Sequence, residues 1–160
     1  MDIVYIGVGS NVDREKYTRI AIDELLLLDS ELKVSPIYEC EPIGFESDPF
    51  YNFVIELRTS LNLTEFSHAL REVEFKWGRK SEAKKYEDRC LDLDVLLFGE
   101  LVSHHSPVIP REDIFKYPFV IQPLYDLNPD LVIPNDGRKV KDIWQTMESF
   151  DSLSQVNFVY

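Results

Sequence analysis

Along residues 3–100 the apolar periodicity changes in a fixed order, and that order constrains the fold more than any other feature of the chain. Residues 3–9, "IVYIGVG", form an apolar run closed by glycine, as a buried strand does. Residues 14–28 carry Tyr17, Ala21, Leu25 and Leu28 on one helical stripe, which Asn11 or Asp13 can cap. "LKVSPIYECEP", 32–42, reads as a strand with an edge-type proline. A loop with prolines and glycine covers 41–50, and then "NFVIELRTS", 52–60, aligns Phe53, Ile55 and Leu57 on one strand face. A second helix is expected over 64–78, with Phe66, Leu70, Val73 and Trp77 on its stripe and Gly78 as its stop. "CLDLDVLLFGE", 90–100, closes the series as a strand. The order β-α-β-β-α-β predicts an α+β, ferredoxin-like core sandwich. Helical patterns near 118–126 and 139–148 predict a C-terminal αβ extension. With 160 residues, no internal repeat and nothing linker-like, the chain is expected to be a single domain, 1–160.

The closing strand carries a problem. Strand alternation sends Asp92 and Asp94 to one face and Leu91, Leu93, Val95 and Leu97 to the other, where they can pack on helices. The two aspartate Cα atoms then lie about 6.5–7 Å apart. Carboxylates at about 6 Å repel by roughly 3 kcal/mol at an effective dielectric near 20. Burial adds several kcal/mol for each unpaired ion. The pair therefore calls for a cation. Mg²⁺ suits, because it takes a few carboxylates together with phosphate oxygens and water. Arginine or lysine suits as well, and the stretch before the strand supplies both. Lys76, Arg79, Lys80, Lys84, Lys85 and Arg89 outnumber Glu82, Glu87 and Asp88 there. A metal site and a surface pair neutralised by Arg79 or Arg89 both fit, and D-x-D alone does not separate them.

The net charge of −12 opposes nucleic acid or an anionic membrane as partner. No secretory leader pattern and no apolar run long enough to span a bilayer are present, so a soluble, cytoplasmic protein is expected. Cys40 and Cys90 read as buried free thiols of a reducing compartment. "GVGSN", 7–11, lacks the third glycine of a phosphate cradle and reads as a tight strand-to-helix turn. Phe50 and Tyr51 precede Asn52, a set that suits a flat, amide-bearing heterocycle. Core packing with a turn-satisfying asparagine is the simpler account of those three residues alone. His68, His104 and His105 lack metal-ligand spacing and are expected at the surface.

Taken in order, "YIGVGSN", "YECEPIGF", "FYNFVIEL", "EFKWGRK", "RCLDLDVLLFGE", "VIPREDIF" and "PFVIQPLYDLNPDLVIP" closely resemble the 6-hydroxymethyl-7,8-dihydropterin pyrophosphokinases of folate biosynthesis. The resemblance spans nearly the whole chain and implies the same α+β, ferredoxin-like sandwich. It implies transfer of the β,γ-pyrophosphate of ATP to the primary hydroxyl of a reduced pterin, with release of AMP. Asp92 and Asp94 match the pair that holds two Mg²⁺ ions between protein and ATP, and Asp94 is placed to help accept the hydroxyl proton. Arg79 and Arg89 match catalytic arginines of a mobile loop, which would clamp phosphate oxygens as planar forks. Loop 79–88 would close and exclude water. Arg71 and Glu74 match positions lining the nucleotide side, and Tyr86 matches a stacking position. For the pterin, the resemblance implies backbone groups of Cys40, Pro42, Ile43 and Gly44, stacking by Phe50 and Phe119, and edge recognition by Asn52.

Three departures from the family pattern stand out. The W-G-P-R loop ending reads Tyr86-Glu87-Asp88-Arg89; the histidine after I-P reads Arg111; the arginine two residues before the F-V phenylalanine reads Tyr117. Arg111 is expected to substitute as the cation at the ATP phosphates, with Lys116 compensating for Tyr117. A binding module without turnover is the alternative that these departures allow. A nucleotidyl transferase, which pairs G-S with D-x-D about one helix apart, is opposed by the eighty-odd residues between Ser10 and Asp92. The sequence leaves the oligomeric state open, with a monomer compatible with it.

Overall fold

The computed structural model describes residues 1–40, 49–78 and 90–158. Its elements are β1 (Asp2–Ser10), α1 (Arg14–Leu26), β2 (Lys33–Val34), β3 (Ile37–Cys40), β4 (Phe50–Thr59), α2 (Leu63–Lys76), β5 (Asp92–Phe98), α3 (Pro118–Leu127), α4 (Val140–Thr146) and β6 (Ser154–Val156). A 3-10 turn, Glu112–Phe115, precedes α3. One sheet has the order β5-β1-β4-β3-β6, with β2 also pairing to β4, and every pairing is antiparallel. Counting β2 and β3 as one strand broken at Pro36, the core order is last-first-third-second. That is the split-βαβ, ferredoxin-like arrangement expected from the sequence.

Both sheet faces are covered. Val4, Ile6, Val8, Phe53, Ile55, Leu57, Leu93 and Val95 meet α1 and α2 through Ala21, Ile22, Leu25, Phe66 and Leu70. On the other face Tyr5, Val54, Leu96 and Leu97 meet Ile114, Val120, Ile121 and Leu124, with Val140 and Ile143 of α4. The C-terminal extension thus contributes a third layer. Helix α2 begins where a capping box allows it: Asn62 Oδ1 accepts from the Glu65 N–H, and the Glu65 carboxylate accepts from the Asn62 N–H. It ends at Gly78, whose φ of +106° favours glycine. Among the described residues no helix is long and apolar enough to cross a membrane.

Three local expectations need correction. Asp13 occupies the N-cap of α1 in a left-handed conformation without a side-chain cap bond. Gly7 and Gly9 lie in β1, as the 3–9 run predicts, and the tight turn read from "GVGSN" is not formed there, because β1 pairs with β4 out to Ser10↔Tyr51. Leu97 does not share a face with Leu93 and Val95. The register passes from Ile6↔Val95 to Tyr5↔Leu97, so Leu96 is bulged and both Leu96 and Leu97 enter the second core.

Candidate active site

The antiparallel register assembles one row across the sheet: Asp92 on β5, Gly9 on β1, Asn52 on β4 and Tyr38 on β3 are successive partners. Asp94, Gly7 and Val54 form the next row. Directly paired residues share a face, so the two carboxylates, Asn52 and Phe50 look out over a floor of glycine. Neighbouring strands lie about 4.8 Å apart, which puts Asp92 and Asn52 about 10 Å apart at their Cα atoms. Gly9 keeps the space between them clear. A Cβ there would stand 3.1 Å from Asn52 Oδ1, 3.7 Å from Phe50 Cδ1 and 4.0 Å from the Asp92 Cβ. Gly7 has a different reason, since its missing Cβ makes room for Leu96 at 3.4 Å. Glycine inside a strand marks this kind of close approach.

Asp94 has an unfavourable setting. Burial, followed by the charge of Asp92, raises its carboxyl pKa to about 7, against the lowering pull of Arg111. The Arg111 Nη2 lies 3.7 Å from Asp94 Oδ2, and its Nε lies 3.2 Å from Asp113 Oδ2. The Arg111 N–H donates to the Leu96 carbonyl at 2.9 Å, and fully buried Ile114 anchors the turn that carries Asp113. At the free edge of β5, buried Glu74 accepts from the Leu93 N–H at 2.8 Å. Glu74 thereby pins the strand segment between the two acids. A raised carboxyl pKa means that folding favours the protonated form. The penalty is absent below about pH 4 and grows until about pH 7. Metal-free protein in a chelator is therefore expected to lose thermal stability between pH 5 and 8 more steeply than Asp94→Asn. Identical pH profiles in calorimetry would contradict this setting for Asp94.

At the other end of the floor, the Asn52 Nδ2 donates to Cys40 Sγ at 2.7 Å, leaving Oδ1 over Gly9. The Tyr38 hydroxyl donates to Asp126. Phe119, in the first turn of α3, stacks against Tyr117 at 4.9 Å and 13°. Arg14 was not singled out by sequence. Its Nη1 donates to the Pro49 carbonyl at 3.0 Å and lies 3.3 Å from Glu39 Oε2, while its guanidinium sits 4.3 Å above the Tyr51 ring. It ties together the two stems that flank residues 41–48. Arg14→Ala is expected to lower the melting temperature by a few degrees through loss of these three contacts, and an unchanged melting temperature would show that the tie contributes no stability.

Arg71 is exposed on α2. Lys116, expected to compensate for Tyr117, is exposed and holds Glu112 at 2.6 Å. Lys76, from the basic stretch, pairs with Glu24 at 2.8 Å. Cys40 is buried and Cys90 only partly so, and both are free thiols. His68, His104 and His105 lie at the surface as expected. Pro42, Ile43, Gly44, Arg79, Tyr86 and Arg89 lie outside the described residues.

Residues 5–129 match the 7,8-dihydro-6-hydroxymethylpterin-pyrophosphokinase family. The 2-amino-4-hydroxy-6-hydroxymethyldihydropteridine pyrophosphokinase of Bacillus subtilis (strain 168) is 36% identical over 79% of this chain and 78% of its own length. The enzyme of that name from Aquifex aeolicus is 34% identical over 89% of this chain and 90% of its own. Folic acid synthesis protein fol1 of Pneumocystis carinii is 32% identical over 99% of this chain, which spans 22% of that longer protein. The crystal structure of Plasmodium falciparum HPPK-DHPS shares the fold, with a TM-score of 0.68 at 12% identity, over 90% of this chain and 44% of that one. None of these relatives supports the binding-only alternative. The chain belongs to the 7,8-dihydro-6-hydroxymethylpterin-pyrophosphokinase family and carries its activity, ATP-dependent transfer of pyrophosphate to a hydroxymethyldihydropterin in folate synthesis.

Proposed function

We propose that the glycine-floored face of β5, β1 and β4 is where this transfer takes place. The observation that carries the reading is the shared face of Asp92, Asp94 and Asn52 with Gly9 between them. A flat pterin lying on that floor, with its ring edge at Asn52, directs its hydroxymethyl group toward the two acids. Phe50 and Phe119 are assigned to its ring faces, and the backbone of Cys40, Pro42, Ile43 and Gly44 to its polar edge.

Asp92 and Asp94 are assigned to hold two Mg²⁺ ions together with the triphosphate of ATP. The donor set fits: Asp92 and Asp94 present two carboxylates on one face of β5. Mg²⁺ accepts one or two carboxylates and takes the rest from phosphate and water. Asp94, crowded by Asp92 and only partly offset by Arg111, is the kind of group such an ion relieves. Bound there with ATP, Mg²⁺ supplies charge neutralisation for phosphoryl-type transfer and lowers the hydroxyl pKa. In the proposed reaction the hydroxymethyl oxygen bonds to the β-phosphorus and the bond from that phosphorus to the AMP oxygen breaks. Asp94 is the residue assigned to take the hydroxyl proton. Arg79, Arg89 and Arg111 would hold phosphate oxygens, Arg71 and Tyr86 would face the nucleotide, and Glu74 acts through the β5 backbone. We read residues 1–160 as one catalytic unit in the cytoplasm, where Cys40 and Cys90, neither of them in a disulfide, stay reduced.

The test is product analysis with ATP, Mg²⁺ and 6-hydroxymethyl-7,8-dihydropterin. AMP must appear in step with pyrophosphorylated pterin. ADP as the nucleotide product would overturn the assignment of the broken bond.

A further inference from the structure

Arg111 bridges two carboxylates on different elements, Asp94 on β5 and Asp113 on the 3-10 turn. Its backbone is fixed to the Leu96 carbonyl, so only the side chain has freedom to move. The side chain leans more closely on Asp113, at 3.2 Å, than on Asp94, at 3.7 Å. At 3.7 Å the contact with Asp94 is an ion pair without a hydrogen bond, and the buried Nε faces Asp113 off the hydrogen-bond line. Lys116 is drawn away to Glu112.

We propose that Arg111 is the resident counter-ion of Asp94 and competes with the divalent cation for that carboxylate. The inference rests on the metal reading of the Asp92–Asp94 pair. It gives the arginine at this position a second role, as the group that makes cation binding weak until the nucleotide arrives. A triphosphate brings anionic oxygens that can take over the guanidinium, and so frees Asp94. Asp113 keeps Arg111 at the site during the exchange.

The test measures Mn²⁺ affinity without nucleotide, by the electron paramagnetic resonance signal of free Mn²⁺, on folded proteins checked by circular dichroism. Arg111→Met is expected to bind Mn²⁺ about tenfold more tightly than wild type, because the competing charge is gone. Arg111→Lys, which keeps the charge, is expected to stay within about threefold of wild type. Unchanged or weaker binding by Arg111→Met, with binding lost in Asp94→Asn, would overturn the counter-ion role and leave the metal site standing. Wild-type affinity in Asp94→Asn would instead remove the metal reading itself.

Discussion

Asp94→Ala is expected to lower pterin-dependent AMP release at least about 1000-fold, equivalent to about 4 kcal/mol of transition-state stabilisation. The fold is expected to survive, because the carboxylate stands in a repulsive setting beside Asp92. Its removal is therefore expected to leave the melting temperature of metal-free protein unchanged or a few degrees higher at pH 8. Pterin affinity in the absence of nucleotide is expected to change by less than about threefold, since Asn52 and Phe50 are untouched and lie two strands away. Steady-state kinetics, calorimetry and pterin titration together check this. A variant that unfolds would show that Asp94 is structural. One that keeps turnover would remove it from the reaction.

Gly9→Val tests the opposite end of the same floor. A valine suits a central strand, and Gly9 is not among the positive-φ positions of the chain, so the backbone accepts the change. The side chain, however, must enter the gap bounded by Asn52 Oδ1 at 3.1 Å and Phe50 Cδ1 at 3.7 Å from its Cβ. A ring resting on that gap is displaced. The expected result is pterin binding weakened at least about 100-fold, roughly 3 kcal/mol, with ATP binding reduced far less. Pterin affinity within a few-fold of wild type would show that the ring does not use this floor.

These effects explain which parts of the molecule were legible in the sequence. Element order was readable because each core segment has a clean period: Phe53, Ile55 and Leu57 on β4, Phe66 and Leu70 on α2. The same-face placement of Asp92 and Asp94 follows from strand alternation alone. The wrong facing of Leu97 came from extending that alternation through a bulge, which depends on the partner strand and leaves no local mark. Gly9 was misread as turn chemistry because glycine signals a turn and a close approach equally well. Only the register with Asn52 and Asp92 separates the two. Arg14, Asp113 and the strand-pinning role of Glu74 were hidden for a common reason. Each acts on a residue distant in sequence or on a backbone group, and side-chain type does not encode such a partner.

The central claim is that the acid pair of β5 and the amide of β4 act on one substrate complex across the glycine floor. A crystal structure with Mg²⁺, a non-hydrolysable ATP analogue and the hydroxymethyl pterin tests it most directly. The account predicts metal density between Asp92, Asp94 and the phosphates, with the pterin lying over Gly9 and its edge at Asn52. Phosphates bound elsewhere, or Asp92 and Asp94 contacting only protein cations in that complex, would contradict it.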